Sequence, residues 1–202
     1  MAFFTFLNSY NLYAQSSFKR FTKLTCPEKS WVLFHPFIAK NVYIISIESA
    51  KKAQELVADS NLDGDLNGGQ LDAFRHSYWM ARITQEHGWR CAHSLGNAHE
   101  KGNFKDFKKH QLEDGCLPDQ QSCEMDYLNN DVGIQVGKDN LHANSEELSK
   151  KIIELILNGK LFIIKKNLIG AFLNCNGEII SDKNNTKKWE TQKCIVPSNY
   201  KK

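Results

Sequence analysis

Apolar positions recur at helical spacing over most of this chain, and at alternating spacing only near its end. Gly68-Gly69 breaks any preceding helix, and the sequence then runs to Gly88 without glycine or proline. Within that run Leu71, Phe74, Tyr78 and Ala81 form an apolar stripe. Asp72 and His76, four residues apart, lie one turn apart on another face. Upstream, residues 38–58 predict a long helix with a stripe through Ala39, Val42, Tyr43, Ser46, Ala50, Ala53 and Val57. Ile44, Ile45 and Ile47 widen that stripe towards a buried or strand-like segment, and Pro36 suits the first turn. Downstream, residues 90–101 predict a helix that Gly102 ends, followed by a basic, weakly patterned stretch over 103–112. Met125, Leu128, Val132 and Val136 give a stripe within 123–137. Leu148, Ile152, Leu155 and Ile156 give one within 146–157, closed by Asn158-Gly159. Residues 161–164, 171–173, 178–180 and 193–196 read as short strands, with a hairpin turn at Asn174–Gly177.

These elements predict a mainly α fold: a compact helical bundle with a small C-terminal antiparallel β-hairpin or sheet. Residues 36–158 form the helical core, and 159–202 form a short-strand appendage packed on it. Residues 16–35 are expected to be an extended N-terminal arm that turns into the domain at Cys26-Pro27.

Composition changes the picture in two places. The chain has 202 residues, enough for one domain with a core, and a net charge of +3, too small to point to nucleic acid. No apolar run reaches transmembrane length. Residues 1–15, however, are aromatic and small, without charge, and end in Tyr-Ala-Gln, like the apolar region and cleavage point of a secretory signal. The basic start of such a signal is missing, and the alternative is a buried N-terminal helix. The six cysteines agree with export to the cell exterior, periplasm or envelope. Cys116 and Cys123 flank a loop and make the best local pair. Cys175 and Cys194 share the strand-like tail, which leaves Cys26 and Cys91 to each other. Reduced thiols in a cytosolic protein are the alternative. No C-x-x-C occurs, so a zinc cluster is not indicated.

Residues 59–70 read D-x-N-x-D-G-D-x-N-x-x-Q. Asp59, Asn61, Asp63, Asp65 and Asn67 place oxygen donors at alternate positions, and Gly64 supplies a sharp turn, as in a calcium loop of the EF-hand type. Gln70 stands where that loop carries a bidentate glutamate. Calcium or another divalent cation is the expected cofactor. The competing explanation is a polar turn, since these residues turn chains without any metal.

Three helices thus carry polar stripes beside apolar ones: Asp72/His76, His99/Glu100 and Asp126/Asn129/Asn130. In a bundle such stripes converge, because an uncompensated polar group facing the core is costly. Adjacent residues on a helix diverge by about 100°, so only one of His99 and Glu100 need point inwards. Two asparagines in mid-helix have poor propensity and are best explained if their amides are occupied. Gly133, on the same face, admits the close approach of another backbone or a ligand. His35, His87 and His93 are expected to be structural or surface residues.

The segments D-A-F-R-H-S-Y-W (72–79), H-E (99–100) and M-D-Y-L-N-N-D-V-G (125–133) resemble, in that order, a family of secreted bacterial domains of unknown function. More loosely they are similar to helical, Wnt-like lipid-processing domains of the "lipocone" type, which place His, Asp and Asn from several helices in one pocket. The residues point to a hydrolase of the cell exterior or envelope, acting on a phosphoester or lipid substrate by metal-assisted chemistry. In it His76, oriented by Asp72, is the general base, and His99 or Glu100 is the acid or a metal ligand. Arg75, Asp126, Asn129 and Asn130 bind the substrate or an ion. Neither G-x-S-x-G nor H-E-x-x-H occurs, which disfavours a serine esterase and a standard zinc peptidase. The alternative is a calcium- and disulfide-stabilised, non-catalytic binding module at the cell surface.

Overall fold

Thr25 starts the first helix. Its hydroxyl faces the Glu28 amide while the Glu28 carboxylate accepts from the Thr25 amide at 2.8 Å, a reciprocal cap. Residues 26–34 are therefore helical (α1, Cys26–Phe34) rather than an extended arm with a turn at Pro27. Proline fits here because a first-turn residue needs no amide proton. The computed structural model describes residues 21–112, 115–180 and 188–201. The signal-like segment and the first residues of the expected arm lie outside them.

The other helices are α2 (Ala39–Glu55), continued by a 3-10 turn at Leu56–Ala58, α3 (Gln70–His87), α4 (Trp89–Lys108), α5 (Gln120–Asp139) and α6 (Ser145–Leu157). Pro36 sits in the turn before α2 rather than in its first turn. Gly88 separates α3 from α4 with φ of 84°, a conformation that favours glycine. Helix α4 does not end at Gly102, as the sequence suggests, but continues to Lys108. The glycine is needed for packing: a Cβ there would lie 2.4 Å from Thr25 Oγ1. Among the described residues, no helix is long and apolar enough to cross a membrane.

Helix α3 is the axis of the bundle, contacting α2, α4, α5, α6 and the small sheet. Leu71, Phe74, Tyr78 and Ala81, the stripe read from the sequence, are fully buried. One core cluster lies between α3, α6 and the sheet, through Phe74, Tyr78, Leu148, Ile152 and Ile163. A second lies between α1, α2, α3 and α4, through Trp31, Val42, Ile45, Met80 and Leu95. Helix α5 crosses α3 at backbone distance. A Cβ at Gly133 would stand 2.2 Å from the Ser77 carbonyl oxygen, and one at Gly137 would stand 2.6 Å from that of Ala81.

The tail forms β1 (Phe162–Ile164) and β2 (Ile195–Pro197), paired antiparallel with Ile163 opposite Val196. Two isolated bridges, Lys166 with Phe172 and Leu173 with Ile179, are what the remaining predicted strands become. The Cys175–Cys194 disulfide ties this region together. The other expected pairs do not form. Cys26 is an exposed thiol at the start of α1, and Cys91 is a thiol on α4 whose burial pushes its pKa up. Cys116 is an exposed thiol that accepts from Asn67 Nδ2 at 2.9 Å.

The tail also holds the loop that feeds α3. Ile164 donates its amide to the Gly68 carbonyl at 2.7 Å, and Gln70 Nε2 donates to the Ser198 carbonyl at 2.7 Å. The buried Lys166 ammonium reaches Asp65 Oδ2 at 2.6 Å and the Asn67 carbonyl at 2.5 Å. Replacing Lys166 with methionine takes the ammonium away from a partly buried carboxylate. We expect a loss of about 2 kcal/mol, read as a lower urea midpoint. An unchanged midpoint would show that the loop holds itself.

Candidate functional site

Asp72, Arg75 and His76 follow one another at i, i+3 and i+4 on α3, so their side chains share one side of the helix. Asp72 is fixed at both oxygens. Oδ2 accepts the Gly68 amide at 2.7 Å, and Oδ1 accepts from Arg75 Nη2 at 2.7 Å. The close α3–α5 crossing then brings Asp126 and Asn130, one turn apart on α5, against His76. His76 Nε2 lies 3.4 Å from Asp126 Oδ1, 3.7 Å from Asp72 Oδ1 and 3.3 Å from Arg75 Nη2. His76 Nδ1 faces Asn130 Oδ1 at 3.3 Å. With the Asn130 amide oxygen as acceptor, the matching neutral tautomer carries its proton on Nδ1 and leaves Nε2 towards Arg75 and the two carboxylates. Asp72, His76 and Asp126 are 6%, 3% and 7% exposed, and one ligand atom from each lies within 4.8 Å of the others.

His99 enters from α4. Its ring centroid is 6.1 Å from that of His76 and 5.4 Å from that of Trp79, the latter pair nearly perpendicular. Its Nδ1 pairs with Glu28 Oε1 at 3.0 Å. Burial alone raises the Glu28 pKa. The hydrogen bond and charge of His99, with the two Thr25 bonds, outweigh it and hold the carboxyl below its ordinary 4.5. A lowered carboxyl pKa stabilises the fold above the unfolded value, and that contribution is lost as pH falls through the folded value. Glu28→Gln should therefore cost about 1–2 kcal/mol near pH 6 and flatten the acid limb of stability below pH about 4.5. Urea midpoints across that range check it, and parallel acid limbs would contradict it.

Two cavities meet at this cluster. The larger, about 250 Å³, lies between α1, α2, α3 and α4. Trp31, Val42, Tyr43 and Leu95 give it apolar walls, and Arg75, His76, His99 and Glu28 line it too. The smaller, about 40 Å³, is polar and is lined by Asp72, Arg75, Asp126, Ser122 and Lys193. Arg75 borders both. An apolar slot beside a charged recess suits a ligand with a greasy part and a polar part.

The remaining residues named from the sequence go elsewhere. Glu100 is buried, bonded by Asn103 Nδ2 at 3.1 Å, and lies against Tyr127, whose phenol is pushed up by burial and then by the Glu100 charge. Asn129 mimics a strand neighbour: its amide bonds both the N–H and the carbonyl of Phe162 at 2.9 Å. In the polar loop Asp59 Oδ1 accepts the Asn61 amide, and Asp63 Oδ1 accepts those of Asp65 and Gln70. Asp65 Oδ1 accepts the Asn67 amide, while its Oδ2 holds Lys166. Among the described residues, Asp72, His76 and Asp126 bring one ligand atom each within 4.8 Å of the others. Sequence reasoning missed Glu28 as the partner of His99. Its one signal was Thr25-x-x-Glu28, the spacing of a capping box.

A family model described as Domain of unknown function (DUF6973) matches residues 29–160, a span that includes α2 to α6 and each residue of the Asp72–His76–Asp126 cluster. No curated protein and no solved structure matches the chain.

Proposed function

We propose, from the premise that the chain belongs to the family described as Domain of unknown function (DUF6973), that this protein is a hydrolase of phosphoesters or lipid esters that carry an apolar chain. The observation that carries the proposal is the position of Arg75 and His76. They stand in the wall of the apolar cavity, with Arg75, Asp72 and Asp126 in the wall of the polar recess behind it. The apolar chain fills the larger cavity and the ester lies across Arg75. The Asp72–His76–Asp126 cluster takes a proton from water, whose oxygen attacks the ester. The bond to the leaving oxygen breaks, and that oxygen takes a proton from His99, which Glu28 orients. Arg75 offsets the negative charge that grows at the reacting centre. The Cys175–Cys194 disulfide supports a site of action outside the cytoplasm, in the envelope or beyond it.

A second reading, a non-catalytic binding module, draws support from Asn129 and from Asp72 Oδ2, both held by backbone groups. Turnover separates the two readings. The disulfide-bonded chain is offered phosphomonoesters, phosphodiesters and carboxylic esters of increasing alkyl length, with and without divalent cations. We expect kcat/KM to rise with chain length in one ester class until the cavity is filled. A folded protein that turns over none of them would sink the hydrolase reading and leave the binding module.

A further inference from the structure

We infer that Asp72, His76 and Asp126 form a site for one divalent cation of the first transition row, Mn²⁺ or Zn²⁺, and that the Arg75 guanidinium stands in for the cation when none is bound. The inference deepens the hydrolase reading, on which the purpose of the cation rests, but the binding itself is measurable without turnover.

Three observations support it. The first is spacing. Ligands at the usual distance of about 2.1 Å from a metal lie about 3.0–3.4 Å from one another. His76 Nε2 and Asp126 Oδ1 are 3.4 Å apart, Asp72 Oδ1 is 3.7 Å from the same nitrogen, and the three ligand atoms all lie within 4.8 Å of one another, so the set closes on a cation by contraction without any change of partner. The second is orientation. A histidine that binds a metal commonly donates its other N–H to a carbonyl or carboxylate oxygen, which fixes the tautomer. Asn130 Oδ1 stands 3.3 Å from Nδ1, placed to accept that N–H and to leave Nε2 for a cation. The Gly68 amide does the same for Asp72, holding Oδ2 so that Oδ1 faces His76. The third is the occupant. Arg75 Nη2 lies 2.7 Å from Asp72 Oδ1 and 3.3 Å from His76 Nε2, two of the three atoms that would ligate a cation. Two buried carboxylates need a positive charge beside them. A guanidinium on a side chain that is 27% exposed can supply it and can also swing into the adjoining cavities. One imidazole with two carboxylates suits Mn²⁺ or Zn²⁺ better than the all-oxygen environment preferred by calcium.

The test is Mn²⁺ binding by the intact, disulfide-bonded chain, followed by equilibrium dialysis and by paramagnetic broadening of histidine ring resonances. We expect one equivalent per chain, with His76 broadened before the other histidines. Asp126→Asn should weaken binding at least tenfold, Asn130→Ala by about 10–100-fold, and Arg75→Met should tighten it about fivefold or more. The broadening pattern comes from the unmutated protein and does not depend on any variant folding. Binding that leaves His76 sharp, or that Asp63→Asn abolishes while Asp126→Asn does not, would place the ion in the 59–70 loop and overturn the inference. So would the absence of stoichiometric binding in both the native protein and Arg75→Met. Ester turnover that persists with no cation bound overturns the cation's part in the reaction and leaves the hydrolase standing. Stoichiometric binding at His76 without turnover does the reverse.

Discussion

His76→Ala is expected to lower kcat for the best ester substrate by about 10²–10⁴-fold, the range for loss of a group that takes the water proton or holds the cation that activates the water. KM should change little, because the greasy part of the substrate is held by Trp31, Val42, Tyr43 and Leu95. The split matters. A loss confined to KM would mean that His76 only shapes the cavity wall. The variant must also be shown to fold, since removing the ring leaves Asp72 and Asp126 facing each other across a buried gap. Arg75 remains to compensate them, so we expect stability to fall while the fold survives. His76→Gln, which keeps a polar side chain but offers neither a base nor an imidazole ligand near neutral pH, should be as inactive and closer to native in its urea midpoint.

The largest effect on the fold is expected from Gly133→Ala. The added methyl would lie 2.2 Å from the Ser77 carbonyl oxygen, 2.7 Å from its Cα and 2.8 Å from its carbonyl carbon. All three are backbone atoms of the central helix, so no rotamer change relieves the clash and α5 must move off α3. Overpacking of this kind costs about 3 kcal/mol, which for a chain of this size lowers the melting temperature by roughly 6–12 °C. Asn130 lies one turn and Asp126 two turns before Gly133 on the same helix, so the shift also draws both away from His76. Calorimetry and turnover should fall together. A native melting temperature would show that the two helices do not touch here.

That crossing was half legible in the sequence. The apolar stripe from Leu71 to Ala81 announces a central helix, and a glycine on the polar face of another helix announces close approach. Neither says which helix approaches which. Asp72 with His76, and Asp126 with Asn130, could be read as polar pairs because the spacing of four is local. Their meeting is not local: it depends on Gly133 and Gly137 seating against Ser77 and Ala81. Gly102 misled because a glycine late in a helical pattern usually ends it, whereas here the Thr25 side chain takes the place of a Cβ. Asn129 was grouped with Asn130 because one helix face could hold both, but the strand it bonds begins 33 positions later in the sequence. The acidic loop reads two ways for a chemical reason. Asp, Asn and Gly that chelate a cation and those that turn a chain look alike, and here the loop amides and Lys166 hold those oxygens. The cysteines behave likewise: parity suggested three bridges, and only the Cys175–Cys194 pair meets.

Whether Asp72, His76 and Asp126 act as one centre is most directly tested by a double-mutant cycle on turnover. His76→Ala, Asp126→Ala and the double variant are assayed on the same substrate, with folding verified for each. Residues that act as a unit lose their contribution once, so either single change should cost nearly as much as both together. Losses that multiply, or a His76→Ala protein that retains native turnover, would contradict a common centre on α3 and α5.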